Sequence, residues 1–208
     1  MRPSDMDQDA RTRIEQAVMA AEARTSAEIR VVVLNRPAAP VTLHVVALAA
    51  CVALVLPWPL AFLFPHRAMD LFAVQALLFV VLGGLLLGVP ALAQLAIPRA
   101  VRRMAVRAAA LDRFLALGIH LTESRTGLMI LVAVPDRMVE VVADAEVMTK
   151  LGQGFCDEVV LAVSRGGAGG DIAAGLVEGV NHCGKRLSET FPEVPGGRNA
   201  LPDHVVLA

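Results

Sequence analysis

Residues 41–97 read VTLHVVALAACVALVLPWPLAFLF (41–64), PHRAMD (65–70) and LFAVQALLFVVLGGLLLGVPALAQLAI (71–97). The first and third pieces are long apolar runs. Each reaches the roughly twenty residues that a helix needs to cross a hydrocarbon core. The linker between them is six residues long, so two spans here must run antiparallel, as a hairpin. The reading predicts an anchor over 41–97, with soluble chain on both flanks emerging on one side of a membrane.

Working outward, the flanking charge sets an expected orientation. Arg99, Arg102, Arg103 and Arg107 follow the second run, and Arg30 and Arg36 precede the first. The linker has only Arg67, offset by Asp70. Cationic flanks stay on the cytoplasmic side. Both termini and the soluble parts are therefore expected in the cytoplasm, at the inner (plasma) membrane of the cell. The arginine cluster reads as contact with anionic headgroups rather than with nucleic acid, because it adjoins a span. Trp58, within Pro57-Trp58-Pro59, fits the far interface, where tryptophan anchors helices. His44 falls near headgroup depth. Gly84 and Gly88 form a small-residue pair four apart, suited to close helix packing within the hairpin or in an oligomer.

Composition agrees with an anchored globular domain. The chain has 208 residues, 56 % of them hydrophobic, and a mean hydropathy of +0.60. Without the hairpin about 150 residues remain, enough for one domain with a real core. A net charge of −1, a single Trp and no Tyr argue against a nucleic-acid surface. The first forty residues carry charges of both signs and no early apolar run, so no cleaved leader is expected. Cys51 lies in the first run. Cys156 and Cys183 could bridge, but isolated buried thiols in a reducing compartment fit their spacing better.

The flanks alternate helix and strand patterns. Ile14, Ala17, Val18 and Ala21 share one face of a first helix. Glu28–Leu34 is a β-branched strand covered on both faces. Pro98–Leu117 reads as a helix with a buried stripe of Val101, Met104, Ala108, Leu111 and Leu115, ended by Gly118. Leu128–Val134 is an uninterrupted apolar strand, suited to a sheet centre. Met138–Ala143 follows after a tight turn and so is antiparallel to it. Two helices close the domain, one with Val147, Leu151, Phe155, Val159 and Val163, the other with Ile172, Leu176, Val180, Cys183, Leu187 and Phe191. Pro192 stops the last one.

The expected fold is α/β: a small three-layer sandwich, helices on both faces of a short mixed sheet, interrupted by a two-helix transmembrane hairpin. Residues 1–36 and 98–192 form one split soluble domain, 41–64 and 71–97 the hairpin, and 193–208 a flexible tail whose Val205-Val206-Leu207 could dock.

Several short motifs resemble the TPM domain family. Thr25-Ser26-Ala27-Glu28-Ile29 resembles its T-G-A-E-I entry to the first strand, and Arg125-Thr126-Gly127-Leu128-Met129-Ile130 its R-[DN]-N-G-[VL]-L-[IL] motif. Asp136–Val141 is similar to its hairpin with an acidic-basic turn. Gly170–Leu176 is similar to its late helix, and Asn199–Asp203 to the tail of membrane-anchored bacterial relatives. Thr126 stands where the family has Asp or Asn. For some relatives the resemblance implies a weak acid phosphatase or a metal ion at the sheet edge; the matching acidic positions here are Asp136 and Asp144. The resemblance otherwise implies a module that modulates another membrane protein and needs no cofactor.

The residues themselves offer Asp136, Glu140 and Asp144 as carboxylates that could hold Ca²⁺ or Mg²⁺, or, for Asp136 and Asp144, act as nucleophile and acid. No dense ligand run of the DxDxD kind accompanies them. Arg125 could bind phosphate or pair with a carboxylate. Ser164, His182 and Cys183 lack the context of a nucleophile, since no G-x-S-x-G elbow surrounds Ser164.

Overall fold

The computed structural model describes residues 8–39, 41–59, 68–89, 97–122, 124–193 and 205–207. The linker residues 65–67 and the Asn199–Asp203 tail motif lie outside them. The elements are α1 (Gln8–Glu22), β1 (Ile29–Leu34), α2 (Val41–Val55), α3 (Ala68–Gly88), α4 (Arg99–Ala116), a short 3₁₀ turn (Ile119–Leu121), β2 (Leu128–Ala133), β3 (Met138–Ala143), α5 (Ala145–Gly166), α6 (Ile172–Thr190) and β4 (Val206–Leu207). They fall into two compact units, Met1–Ala38 with Met104–Ala208, and Ala39–Arg103.

In the first unit the sheet order is β3-β2-β1-β4. β1 and β2 are parallel, in register from Ile29 opposite Leu128 to Leu34 opposite Ala133. β3 returns antiparallel to β2, from Met138 opposite Ala133 to Ala143 opposite Leu128. Every residue of β1 and β2 is buried, which is what continuous apolar strands require. The two faces feed two cores. Ile29, Val31, Val33, Leu128, Ile130 and Val132 pack under α1, α5 and α6. Val32, Leu34, Met129 and Leu131 pack under Val106, Ala110 and Phe114 of α4 and under Ile119. The sheet is thus mixed, with helices on both sides.

The stripe expected on α4 needs correction. The row Val101, Met104, Ala108, Leu111 and Leu115 is not the buried face. The buried row is Val106, Ala110 and Phe114; Val101 is half-buried and the other four are exposed. The helix is apolar on two sides, and periodicity cannot say which one meets the sheet. The end of the tail docks, as its apolar residues allowed: Val206 and Leu207 add a fourth strand, parallel to β1. Helix α5 is kinked at Gly152, whose φ of 69° and ψ of −178° only glycine adopts readily.

In the second unit α2 and α3 pack on each other, and Gln75 Nε2 donates to Leu54 O at 3.2 Å. Among the described residues only Met69–Gly88 is a helix long and apolar enough to cross a membrane. Among the described residues of the first run, Val41–Val55 is a helix of about 22 Å at 1.5 Å per residue. A turn at Leu56-Pro57, where Pro57 lacks a backbone donor, interrupts it before helix resumes at Trp58-Pro59.

Candidate functional site

The three predicted carboxylates occupy three places along one hairpin. Asp136 sits in the β2–β3 turn, Glu140 in mid-strand, and Asp144 just past the far end of β3. Six strand residues separate the outer two, a spacing of about 20 Å. A shared metal ion or a nucleophile–acid pair of Asp136 and Asp144 is geometrically excluded. Each has a local partner instead. Asp136, only 3 % exposed, accepts from the backbone N–H of Ala38 through Oδ2 at 3.0 Å. Glu140 accepts from Arg107 at 3.0 Å. Asp144 is the N-cap of α5, accepting from Ala145 N at 2.7 Å. Among the described residues no three His, Cys, Asp or Glu side chains converge on a point that could hold a metal ion.

The arginine row is divided as well. Arg107 is held by Glu140, and Arg30 is buried within β1. A methyl group added at Gly84 or Gly88 would meet nothing within 4 Å among the described residues beyond the helix's own backbone.

The other nucleophile candidates are structural. Ser164 Oγ donates to Val160 O at 2.7 Å, back onto its own helix. His182 Nε2 lies 3.4 Å from Glu158. Cys156 and Cys183 are free and buried, and burial pushes both thiols up, away from the reactive thiolate.

Two concavities flank the sheet. At the carboxyl ends of β1 and β2, a groove of about 550 Å³ runs between Leu34–Ala38 and Ala109, Asp112 and Arg113 of α4. Asp136 supports its floor through Ala38, and its Oδ1 is buried without a hydrogen bond. At the opposite, amino end lies a pocket of about 320 Å³ lined by Ser26, Ser124, Arg125, Thr126, Glu146, Lys150 and Phe191. Thr126 is its buried base. Its hydroxyl donates to Ser26 O at 3.1 Å and meets Ser124 Oγ at 2.7 Å. Arg125 stands at a φ of 49° and makes no ion pair among the described residues. The Lys150 ammonium lies 4.5 Å from the centre of the Phe191 ring. Two cations and three hydroxyls at one mouth can bind an oxyanion, against the single carboxylate of Glu146.

Of this second site the sequence had singled out Arg125 as a possible phosphate ligand, and Thr126 only as a departure from the motif it resembles. Ser26, Ser124, Thr126, Lys150 and Phe191 come from four separate stretches and share no spacing. The one local signal is the R-T-G run, whose Gly127 passes against the 3₁₀ turn.

Neither a family model nor a curated protein matches this chain. Among solved structures it is similar to the NMR structure of the BA42 protein from the psychrophilic bacterium Bizionia argentinensis. The TM-score is 0.60 at 19 % identity, over 97 % of this chain and 94 % of that one. The similarity supports the α/β fold.

Proposed function

We propose that the chain is a TPM-like domain anchored in a membrane by a two-helix hairpin, Val41–Phe64 and Leu71–Ile97, and that it acts there as an interaction module for another membrane protein. One observation carries this reading: Met69–Gly88 is a twenty-residue apolar helix of mean hydropathy 2.4 with none of its span buried. Such a surface needs lipid or protein around it. The Gln75–Leu54 bond supports an antiparallel pairing of the two runs, since it joins the end of α2 to the first half of α3. The open faces of Gly84 and Gly88 offer a close-packing surface to a partner helix or a second copy. The soluble domain faces the cytoplasm by the arginine excess that follows the second run.

The test is alkaline extraction of membranes together with site-specific photocrosslinking from position 84. Retention in the pellet and a crosslink to a different protein are the expected results. Release of the full chain into the supernatant would end the anchor reading. A crosslink only to a second copy would replace the heterotypic partner with a homo-oligomer.

A second reading, a weak phosphatase, is favoured by the Arg125–Lys150 pocket. Asp144 borders it through the bond from its backbone N–H to Gly127 O at 2.8 Å. Asp136, at the other end of the sheet, has no part in this version. Hydrolysis of a phosphate ester, with and without Ca²⁺ or Mg²⁺, that fails in Asp144→Asn and survives in Asp136→Asn would establish it. Equal activity in both variants would remove it.

A further inference from the structure

The lining of the amino-end pocket fixes its charge. Arg125 and Lys150 bring two positive charges and Glu146 one negative, which leaves a single net positive charge. Neither cation makes an ion pair among the described residues, although Glu146 stands one helical turn before Lys150 on α5. The Lys150 ammonium lies over the Phe191 ring instead. Asp144, which borders the pocket, is engaged as the cap of α5.

Hydrogen bonds between separate segments hold this lining still. Thr25 Oγ1 donates to Phe191 O at 2.6 Å, and Ser26 N donates to the same oxygen at 3.1 Å. Arg125 N donates to Thr122 O at 3.0 Å, and Asp144 N to Gly127 O at 2.8 Å. A site held in advance of its ligand loses less on binding. The hydroxyl protons can be assigned as well. Thr126 donates its one proton to Ser26 O, so the proton between Thr126 and Ser124 is Ser124's. The donors left for a ligand are the N–H groups of Arg125 and Lys150 and the Ser26 hydroxyl.

One net charge and so few donors match an anion of one charge and two oxygens. A planar guanidinium meets a carboxylate through two parallel bonds. A phosphate monoester brings a charge of about −1.5 to −2 and three outer oxygens, more than this lining balances. A volume of about 320 Å³ is at the lower end for small-molecule sites, with room for a short tail beside the charged group. We propose that the amino-end pocket binds the carboxylate of a small organic acid, gripped by Arg125 and Lys150, with its apolar tail against Phe191. The inference goes beyond both readings above, because it needs neither a bilayer nor a hydrolytic step.

The experiment uses the full chain in detergent micelles at neutral pH. Trifluorobutyrate is the probe, and broadening of its fluorine resonance reports binding. Arg125→Asn is the first variant, since Asn accepts a φ of 49° more readily than Arg does. Lys150→Gln, at an exposed helix position, is the second. Each should weaken binding about ten-fold, and Glu146→Gln should strengthen it about three-fold. Opposite signs in the three variants would assign the pocket to a cation and overturn the proposal. Binding that none of the three changes would place the probe in the micelle or elsewhere, and would overturn it too. Methyl phosphate that displaces the probe at a tenth of the concentration butyrate needs would assign a phosphoryl ligand and overturn the carboxylate. Turnover of a phosphate ester is a separate readout, so its absence removes the phosphatase reading alone.

Discussion

The two ends of the sheet are built for different tasks. At the carboxyl end the polar group is inside: Asp136 is buried and spends one oxygen on the backbone of Ala38. At the amino end the polar groups are outside, and Arg125, Lys150 and Ser124 stand exposed around the small base formed by Thr126. A carboxylate locked to the main chain fixes the exit of β1. A ring of cations and hydroxyls on a rigid floor is free to meet a ligand. Acidic residues that look like a set in sequence were therefore a poor guide, because a strand carries residues eight apart to opposite ends of the molecule.

The comparison can be broken most directly at Gly127. A methyl group there would stand 2.5 Å from Ile119 Cγ2 and 2.6 Å from Ile119 O. Gly127→Ala should cost about 3 kcal/mol and lower the thermal midpoint followed by circular dichroism. An unchanged midpoint would mean that the floor of the amino-end pocket is not rigid. Asp136→Ala comes next. It strands the Ala38 N–H, and a loss of about 2 kcal/mol in denaturant titration is expected, with Asp136→Asn milder because it keeps an acceptor. Equal losses in the two variants would show that this hydrogen bond does not hold the carboxyl end. Asp144→Ala removes the cap of α5 and should cost about 1 kcal/mol. A loss much larger than that would point to an unrecognised role for its second, buried oxygen. The smallest effect belongs to Arg107→Ala. Its pair with Glu140 is half in solvent, so less than about 1 kcal/mol is expected, shrinking further as salt is raised.

The strands were legible because both faces of each are covered. Leu128–Ala133 is an unbroken apolar run and Ile29–Leu34 is interrupted only by Arg30; short length and β-branched residues mark both as strands. The inner faces of α1, α5 and α6 were legible too, since each has a single apolar stripe against a polar back. Helix α4 was not. Alanines at 105, 108, 109 and 110 blur its pattern, and the larger residues Met104, Leu111 and Leu115 outvote the row that the sheet selects. The amino-end pocket was illegible for a different reason. Its parts, at 26, 124–126, 146–150 and 191, meet only because β1 lies beside β2 and α5 starts where β3 ends. Val205-Val206-Leu207 was legible as a docking segment, but two strand residues carry no periodicity that would name β1 as the partner.

The position of β1 in the sheet has a consequence for how the protein is made. Both of its neighbours, β2 and β4, are translated after the apolar segment. β1 emerges from the ribosome early and has no strand to pair with until β2 follows. At 5–20 residues per second the wait from Leu34 to Ala133 is roughly 5–20 s. During that interval an apolar strand with two open edges must be shielded from other nascent chains.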